Sequence, residues 1–282
     1  MLCGMSNDSQ YDDVVIWLIR HAESEGNVNR RTYAIKNNLT IPITNPVGIN
    51  QARFGGAHFV PYLKDEFNIR SWSELKIYSS HCVRALQTLK ENYNGASTIL
   101  EGQPDFELDE RLIEKFFGVT DRVIHSNKRF DFLRTKILKI IEELILDNYK
   151  VNPFHARNLM GDATAQSYKG KVDFVEQVLN PAIAQGNRRF LLMGHGNGHR
   201  CMIAVLAKAP IVQMDRIDEP CNGDIIEVRG RGRYCTVRKI FDGRSMKPAN
   251  ENLIAGVEYI AIDDVTSPPD PLPAKMQPLI KN

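Results

Sequence analysis

Arg20 and His21 stand side by side in the sequence, and together they could carry out phosphoryl transfer. A neutral imidazole, with an ordinary pKa of about 6.5, can attack phosphorus, and a guanidinium can bind two phosphate oxygens at once. An isolated Arg-His pair is more often part of a polar loop in which the histidine hydrogen-bonds the backbone. The pair therefore predicts a nucleophilic histidine only if other residues complete a phosphate site.

A short apolar run and two further segments that repeat its arrangement each end at residues that could contact a phosphate. They are Val14–Ile19 before Arg20 and His21, Lys76–Ser79 before Ser80–Arg84, and Phe190–Met193 before Gly194–Asn197. Such runs are typical of strands that are buried on both faces of a parallel sheet. Ligands of open α/β sheets bind beyond the carboxyl ends of the strands. We therefore expect His21, Arg84 and His195 to lie close together.

Stretches with helical periodicity follow the predicted strands. They are Pro46–Leu63, Val83–Tyr93, Phe130–Asn148 and Gly198–Lys208. Strands that alternate with helices predict a three-layer α/β/α sandwich with a mainly parallel central sheet. A last pair of strands is predicted at Asp224–Val228 and Tyr234–Phe241, joined by a turn rich in Gly and Arg.

The composition excludes several classes of protein. Apolar residues make up 43% and charged residues 25% of the chain, which is typical of a globular domain and not of a disordered one. The net charge of +2 gives no reason to expect binding to nucleic acid. The apolar runs fall far short of the roughly 20 residues that span a membrane. We expect neither nucleic acid nor a membrane as a partner.

The cysteines and the two ends of the chain bear on its organisation. The five cysteines are scattered without metal-site spacing, which predicts reduced thiols in a cytoplasmic protein. Residues 1–12 have neither a basic start nor an apolar core, so no signal peptide is expected. We expect one domain over 12–262, with a tail over 1–11 and a Pro-rich tail over 263–282.

Four further segments accompany the Arg20-His21 pair. They are Pro42–Ala52, Ser80–Thr88, Asp109–Gly118 and Gly194–Arg200. In these segments and in their order, the chain resembles the histidine phosphatase superfamily, which includes the cofactor-dependent phosphoglycerate mutases and has their α/β fold. Two positions depart from the family's motifs: Ala22 stands where the family usually has Gly, and His81 replaces a Pro.

The resemblance implies roles for individual side chains. His21 would be the nucleophile, Glu114 would protonate the leaving oxygen, and His195 would hydrogen-bond the transferring phosphoryl group. Arg20 and Arg84 would bind the phosphoryl oxygens. Three more residues are expected to bind substrate: Asn27, Thr44 and Asn197. Neither a metal nor another cofactor is expected.

The neighbours of Glu114 support its role independently. Ile113, Phe116 and Phe117 would raise the pKa of the carboxyl group, as a general acid near pH 7 requires. The alternative is a solvated charge at the end of a helix. Histidines outside the motif positions, such as His81 and His199, are expected to be surface or hydrogen-bonded core residues, although these two could line the pocket.

One stretch bears on the type of reaction. Phosphoglycerate mutases share a G-W-x-D sequence between the first two motifs, whereas Asn29–Leu39 contains neither Trp nor Asp. We therefore expect a phosphatase that acts on a small phosphorylated molecule, with a mutase-like phosphotransferase as the alternative. An alternative of another class is a non-catalytic scaffold that binds proteins through this fold and the Pro-rich tail.

The region that would select the substrate matches the family least. Residues of about 105–170 are expected to form a cap or insertion, and the family's G-E-S-x-x-D segment is not preserved at Met160–Ser167. Cys221–Val228 is similar to the late Asn-x-x-I motif of a divergent phosphoglycerate mutase-like branch. The resemblance therefore leaves the identity of the substrate open.

Overall fold

The computed structural model describes residues 8–29, 32, 37–96, 99–114, 164–232 and 235–254. Several sequence predictions lie outside the described residues. They are the helix Phe130–Asn148, residues 115–163 of the expected cap, residues 1–7 of the first tail, and the Pro-rich tail over 263–282.

The described residues contain seven strands that form one sheet. They are β1 (Val15–Arg20), β2 (Lys76–Ser79), β3 (Phe106–Leu108), β4 (Arg189–Gly194), β5 (Ile225–Arg229), β6 (Thr236–Asp242) and β7 (Lys247–Asn252). Their order is β3-β2-β4-β1-β5-β6-β7. The first four strands in this order are parallel, and the last three continue the sheet through antiparallel pairs. The predicted parallel centre of the sheet is confirmed.

Helices cover both faces of this sheet. They are α1 (Glu25–Val28), α2 (Val47–Phe67), α3 (Val83–Ala96), α4 (Thr164–Phe174), α5 (Asn180–Ala184) and α6 (Gly196–Leu206). A π-helical turn, Val175–Leu179, joins α4 to α5. The helices α2 and α3 pack on one face, and α4 and α6 pack on the other. The three-layer sandwich is therefore confirmed. Within the described ranges, no helix combines the length and apolarity needed to cross a bilayer.

The central strand β1 is buried on both faces. Ile16 and Leu18 pack into the core shared with α6, whereas Trp17 and Ile19 pack into the core shared with α2. Burial of each such side chain contributes about 1.5–3 kcal/mol. This packing fixes the carboxyl end of β1, from which the Arg20-His21 pair projects.

Some element boundaries differ from the prediction. The helix α2 continues through Pro61 and ends where Asn68 adopts a left-handed conformation (φ 54°), which Asn tolerates better than most residues. The helix α6 begins at Gly196, two residues before the predicted Gly198. The strands β5 and β6 are displaced by one or two residues from the predicted Asp224–Val228 and Tyr234–Phe241.

Two edge strands have no counterpart in the prediction. The strand β3 is only three residues long and exposed along its length, and β7 consists mostly of exposed polar residues. Neither segment therefore contains the apolar run or strict alternation that predicts a strand. Both pair with one neighbouring strand, and this pairing gives them their conformation.

Candidate active site

His21 and His195 follow neighbouring parallel strands at the same edge of the sheet. Arg20 is paired with Gly194 in the register of β1 and β4, so the next residue of each strand leaves the sheet at the same level. The two imidazole centroids are 5.1 Å apart. Arg84, in the first turn of α3, donates from Nη2 to Nδ1 of His195 at 3.2 Å. The structure thus brings together the residues that the sequence places at one edge.

The ring of His21 is held in a defined orientation. Its Nδ1 lies 2.7 Å from the carbonyl oxygen of Ala22. Because a carbonyl oxygen only accepts hydrogen bonds, Nδ1 carries the proton and Nε2 keeps its lone pair. The backbone N–H of His21 donates to Gly194 at 2.9 Å, and the Asn222 side chain donates to the His21 carbonyl at 3.1 Å. This arrangement suits Nε2 to nucleophilic attack.

The surroundings of the two histidines favour their neutral forms. Burial, followed by the positive charges of Arg84 and Arg20, lowers the pKa of His21 well below 6.5. Burial and the Arg84 charge also lower the pKa of His195 well below 6.5. An imidazole is nucleophilic only when it is neutral, so His21 is in its reactive form at neutral pH.

The guanidinium groups of Arg20 and Arg84 lie beside these histidines. Arg84 is 1% exposed and donates from Nη1 to the Asn38 carbonyl at 2.7 Å. Arg20 donates from Nη1 to the Pro220 carbonyl and lies 3.4 Å from Oε1 of Glu219. Among the residues that the structure describes, the buried Nε of each guanidinium has no hydrogen-bond partner. Buried charged donors of this kind fit an anionic ligand with several oxygens.

His195 is connected to Ser80 as well as to Arg84. Its Nε2 lies 2.8 Å from Oγ of Ser80. Because a guanidinium only donates, Nδ1 of His195 accepts from Arg84 and Nε2 carries the proton in this arrangement. A hydroxyl can also donate, so Ser80 can satisfy Nε2 when the proton lies on Nδ1 instead. That second tautomer is the one in which His195 would donate toward a phosphoryl group bound at Arg84.

Glu114 lies within electrostatic reach of the two arginines and is partly buried. Burial raises the pKa of its carboxyl group, whereas Arg20 is the strongest of the cations that lower it. The raised pKa agrees with the sequence prediction of a carboxyl group in an apolar setting. Of the apolar neighbours used for that prediction, Ile113 is described, and Phe116 and Phe117 lie outside the described residues.

The three further residues that were expected to bind substrate make contacts with the protein. Asn27 Oδ1 accepts from Ser24 Oγ at 2.8 Å and from Asn222 Nδ2 at 3.1 Å. Thr44 Oγ1 donates to the Glu23 carboxylate at 2.8 Å and accepts from the N–H of Gly48 at 2.9 Å. Asn197 lies in the first turn of α6, with its amide 3.9 Å from Cys201 Sγ. Their roles toward substrate stay predictions.

Several residues at the site were not identified from the sequence. Ser80 stands inside a recognised motif, so its position after β2 could have indicated it. Glu219 and Lys171 belong to none of the motifs, and each lies more than 20 residues from the nearest of the predicted site residues. His199, expected to be a surface or hydrogen-bonded core residue, is buried and donates from Nε2 to the Ile19 carbonyl at 2.9 Å, and burial lowers its pKa to about 4. His81 is exposed.

NMR titration tests the protonation state of His21. Because its pKa lies well below 6.5, its ring should stay neutral through the pH range in which an ordinary histidine gains its proton. Arg84→Met removes a positive charge and should raise the pKa of His21. The His21 resonance is assigned by its loss in His21→Asn. A wild-type midpoint near pH 6.5, unchanged in Arg84→Met, would contradict this electrostatic description.

Residues 16–136 match the histidine phosphatase superfamily (branch 1). The matched segment contains Arg20, His21, Arg84 and Glu114, and it ends before His195. A comparison with curated protein sequences gives no match. Within the described residues, no group of three or more His, Cys, Asp or Glu side chains could hold a metal ion.

Solved structures have the same fold at low sequence identity. Mycobacterial hydrolase 2 has a TM-score of 0.58 at 15% identity, over 89% of this chain and 94% of the other. A mycobacterial glucosyl-3-phosphoglycerate phosphatase, solved with VO3, has a TM-score of 0.54 at 17% identity, over 80% and 96%. YhfR of Bacillus stearothermophilus has a TM-score of 0.53 at 18% identity, over 77% and 91%.

Proposed function

We propose that this chain, which carries the histidine phosphatase signature over residues 16–136 and has the histidine phosphatase fold, hydrolyses a small phosphomonoester through a phosphohistidine on His21. The observation that carries the proposal is a neutral, oriented imidazole within electrostatic reach of two guanidinium groups. The His21 ring presents Nε2, and Arg20 and Arg84 each have a buried Nε donor without a partner among the described residues.

In the first step, Nε2 of His21 attacks phosphorus and the bond between phosphorus and the leaving oxygen breaks. Glu114 gives its proton to that oxygen, so an alcohol departs and Glu114 becomes a carboxylate. Arg20 and Arg84 stabilise the charge that spreads over the phosphoryl oxygens. His195, once its proton lies on Nδ1, donates to the same group.

In the second step, water attacks phosphorus and the bond between phosphorus and Nε2 breaks. The Glu114 carboxylate takes a proton from this water, which restores the acid for the next cycle. Inorganic phosphate leaves, and His21 returns to its neutral form. The chemistry of both steps uses side chains alone, and we propose that the reaction needs no metal.

Water is proposed as the acceptor because Asn29–Leu39 lacks the G-W-x-D sequence of the mutases. The scaffold alternative is disfavoured by the retained groups at the site, since a binding scaffold has no need for a neutral imidazole beside two guanidinium groups whose Nε donors are buried. We propose a cytoplasmic location, because the five cysteines are scattered in the sequence as expected for reduced thiols.

One assay distinguishes phosphatase activity from mutase activity. The chain is incubated with 3-phosphoglycerate and its bisphosphate, and isomer ratios and inorganic phosphate are measured together. A phosphatase should release phosphate from these or from other members of a panel of sugar phosphates, nucleotides and phosphopeptides. Isomerisation without phosphate release would overturn the phosphatase and support the mutase.

A further inference from the structure

Lys171, on α4, is a buried lysine that the proposed mechanism does not use. It is 2% exposed, and its Nζ donates to the carbonyl oxygen of Arg111. Burying an ammonium group is costly unless hydrogen bonds and opposite charges compensate for the lost water. The position of Lys171 therefore calls for a specific set of partners.

Those partners lie in the parts of the chain that form the active site. Arg111 belongs to a turn, Glu110–Leu112, that leads directly to Glu114. On its other side, Lys171 approaches the first turn of α6, where a Cβ added to Gly198 would lie 3.6 Å from Nζ. Lys171 thus connects the segment that carries Glu114 to the helix that begins after His195.

The Arg111 side chain reinforces this connection in the opposite direction. Its guanidinium donates to the Asp173 carbonyl at 3.4 Å and to Gln177 Oε1 at 2.9 Å, while Asp109 accepts from its Nε at 2.8 Å. The helix holding Lys171 therefore binds the turn before Glu114 at two points. The contact made by Lys171 is buried, and it brings a cation within electrostatic reach of the Glu114 carboxyl group.

Glu114 and Lys171 face charged groups from several elements. Around Glu114 these are Arg20 at the end of β1, Arg84 on α3, Glu219 before β5 and Lys171 on α4. Around Lys171 the titratable groups are Cys201 on α6, Glu114 itself and Asp109, and the Lys171 charge also acts on His195 and His199. Burial raises the pKa of Glu114, and Lys171 is one of three cations that oppose this effect. Loss of its charge should therefore raise the pKa of Glu114 further.

We propose that Lys171 is a positioning residue for the general acid, because it holds the turn that leads to Glu114 and supplies a buried cation within electrostatic reach of the Glu114 carboxylate. This inference rests on the proposed phosphatase function. Lys171 then helps to set the pH range in which Glu114 is protonated.

The test compares pH profiles of kcat/KM for glycerol phosphate, whose alkoxide needs a proton, and p-nitrophenyl phosphate, whose phenolate leaves more easily. Lys171→Met should lower kcat/KM for glycerol phosphate at pH 7 by about tenfold, a part of the roughly 10²–10⁴-fold that a well-positioned general acid contributes. The fall of kcat/KM at alkaline pH (the alkaline limb of the profile) should move to higher pH in this variant, because Glu114 keeps its proton up to a higher pH. The loss for p-nitrophenyl phosphate should be smaller.

Three variants complete the comparison. Lys171→Gln keeps an uncharged N–H donor, so it should show the same shift of the alkaline limb and serves if Lys171→Met does not fold. Lys171→Arg keeps the charge and should retain the wild-type limb. Lys169→Met, on the same helix, removes an exposed lysine that pairs with Asp173, and it should leave both substrates and the profile unchanged.

Two failures are distinguishable. If the wild type releases phosphate and folded Lys171→Gln has the wild-type alkaline limb, the inference about Lys171 is wrong and the phosphatase stands. If the wild type releases no phosphate from any substrate, the proposed function itself is wrong.

Discussion

His21→Ala is expected to lower kcat for phosphate release by at least about 10⁴-fold, the scale of losses when a covalent nucleophile is removed. His195 is close, but it cannot take over. In the described arrangement the Nδ1 lone pair of His195 accepts from Arg84, and in the tautomer that would donate to the phosphoryl group Nδ1 carries the proton, so neither form offers a lone pair to phosphorus. The loss should appear in steady-state phosphate release from whichever substrate the wild type hydrolyses best.

Loss of activity must be separated from loss of folding. His21 is buried, so His21→Ala could also create a cavity, and His21→Asn provides a variant closer in volume. Both variants keep Arg20 and Arg84 and should still bind inorganic phosphate. His58→Gln is the matched control, because His58 stacks on Phe241 away from the site and its replacement should leave kcat unchanged. Phosphate release by folded His21→Asn at the wild-type rate would rule out His21 as the nucleophile.

Glu114→Gln is expected to lose far more activity on an alkyl phosphate than on p-nitrophenyl phosphate. The alkoxide of glycerol phosphate needs a proton as it leaves, and a positioned acid contributes about 10²–10⁴-fold to such a step. The p-nitrophenolate leaves without that help. The ratio is measured with kcat/KM, because this constant covers the steps up to formation of the phosphoenzyme and excludes its hydrolysis.

Glu110→Gln is the matched control for this experiment. Glu110 is exposed on the turn that leads to Glu114, so its replacement should change neither substrate's kcat/KM. Equal losses on the two substrates in Glu114→Gln would mean that the carboxylate holds the structure of the site and does not transfer the proton.

The centre of the fold was predictable because strands that are buried on both faces consist of apolar residues, and this pattern is visible in the sequence. The strand β1 needs apolar side chains on both faces, and the run from Val14 to Ile19 supplies them without interruption. The same rule explains why β3 and β7 were not identified: their side chains are exposed, and pairing with one neighbouring strand determines their conformation. Tertiary contacts of this kind leave no local pattern.

The site was predictable where residues lie at strand ends and follow motifs. His21, Arg84 and His195 meet because β1, β2 and β4 end at one edge of the sheet. Lys171 was not predictable, since a lysine usually faces solvent, and the packing of α4 against the Glu110–Leu112 turn and against α6 buries it. The protonation states likewise depend on burial and on charges brought from distant parts of the chain.

The proposed phosphohistidine on His21 is tested most directly by trapping this covalent intermediate. Excess enzyme is mixed with substrate for a single turnover and quenched under alkaline conditions, in which phosphohistidine survives, and the peptides are analysed by mass spectrometry. Phosphoryl transfer through His21 should give one phosphoryl group on the His21 imidazole, lost on acid treatment and absent from His21→Asn. Rapid phosphate release with no phosphoryl group on His21 at any time point, or with the group on another residue, would contradict it.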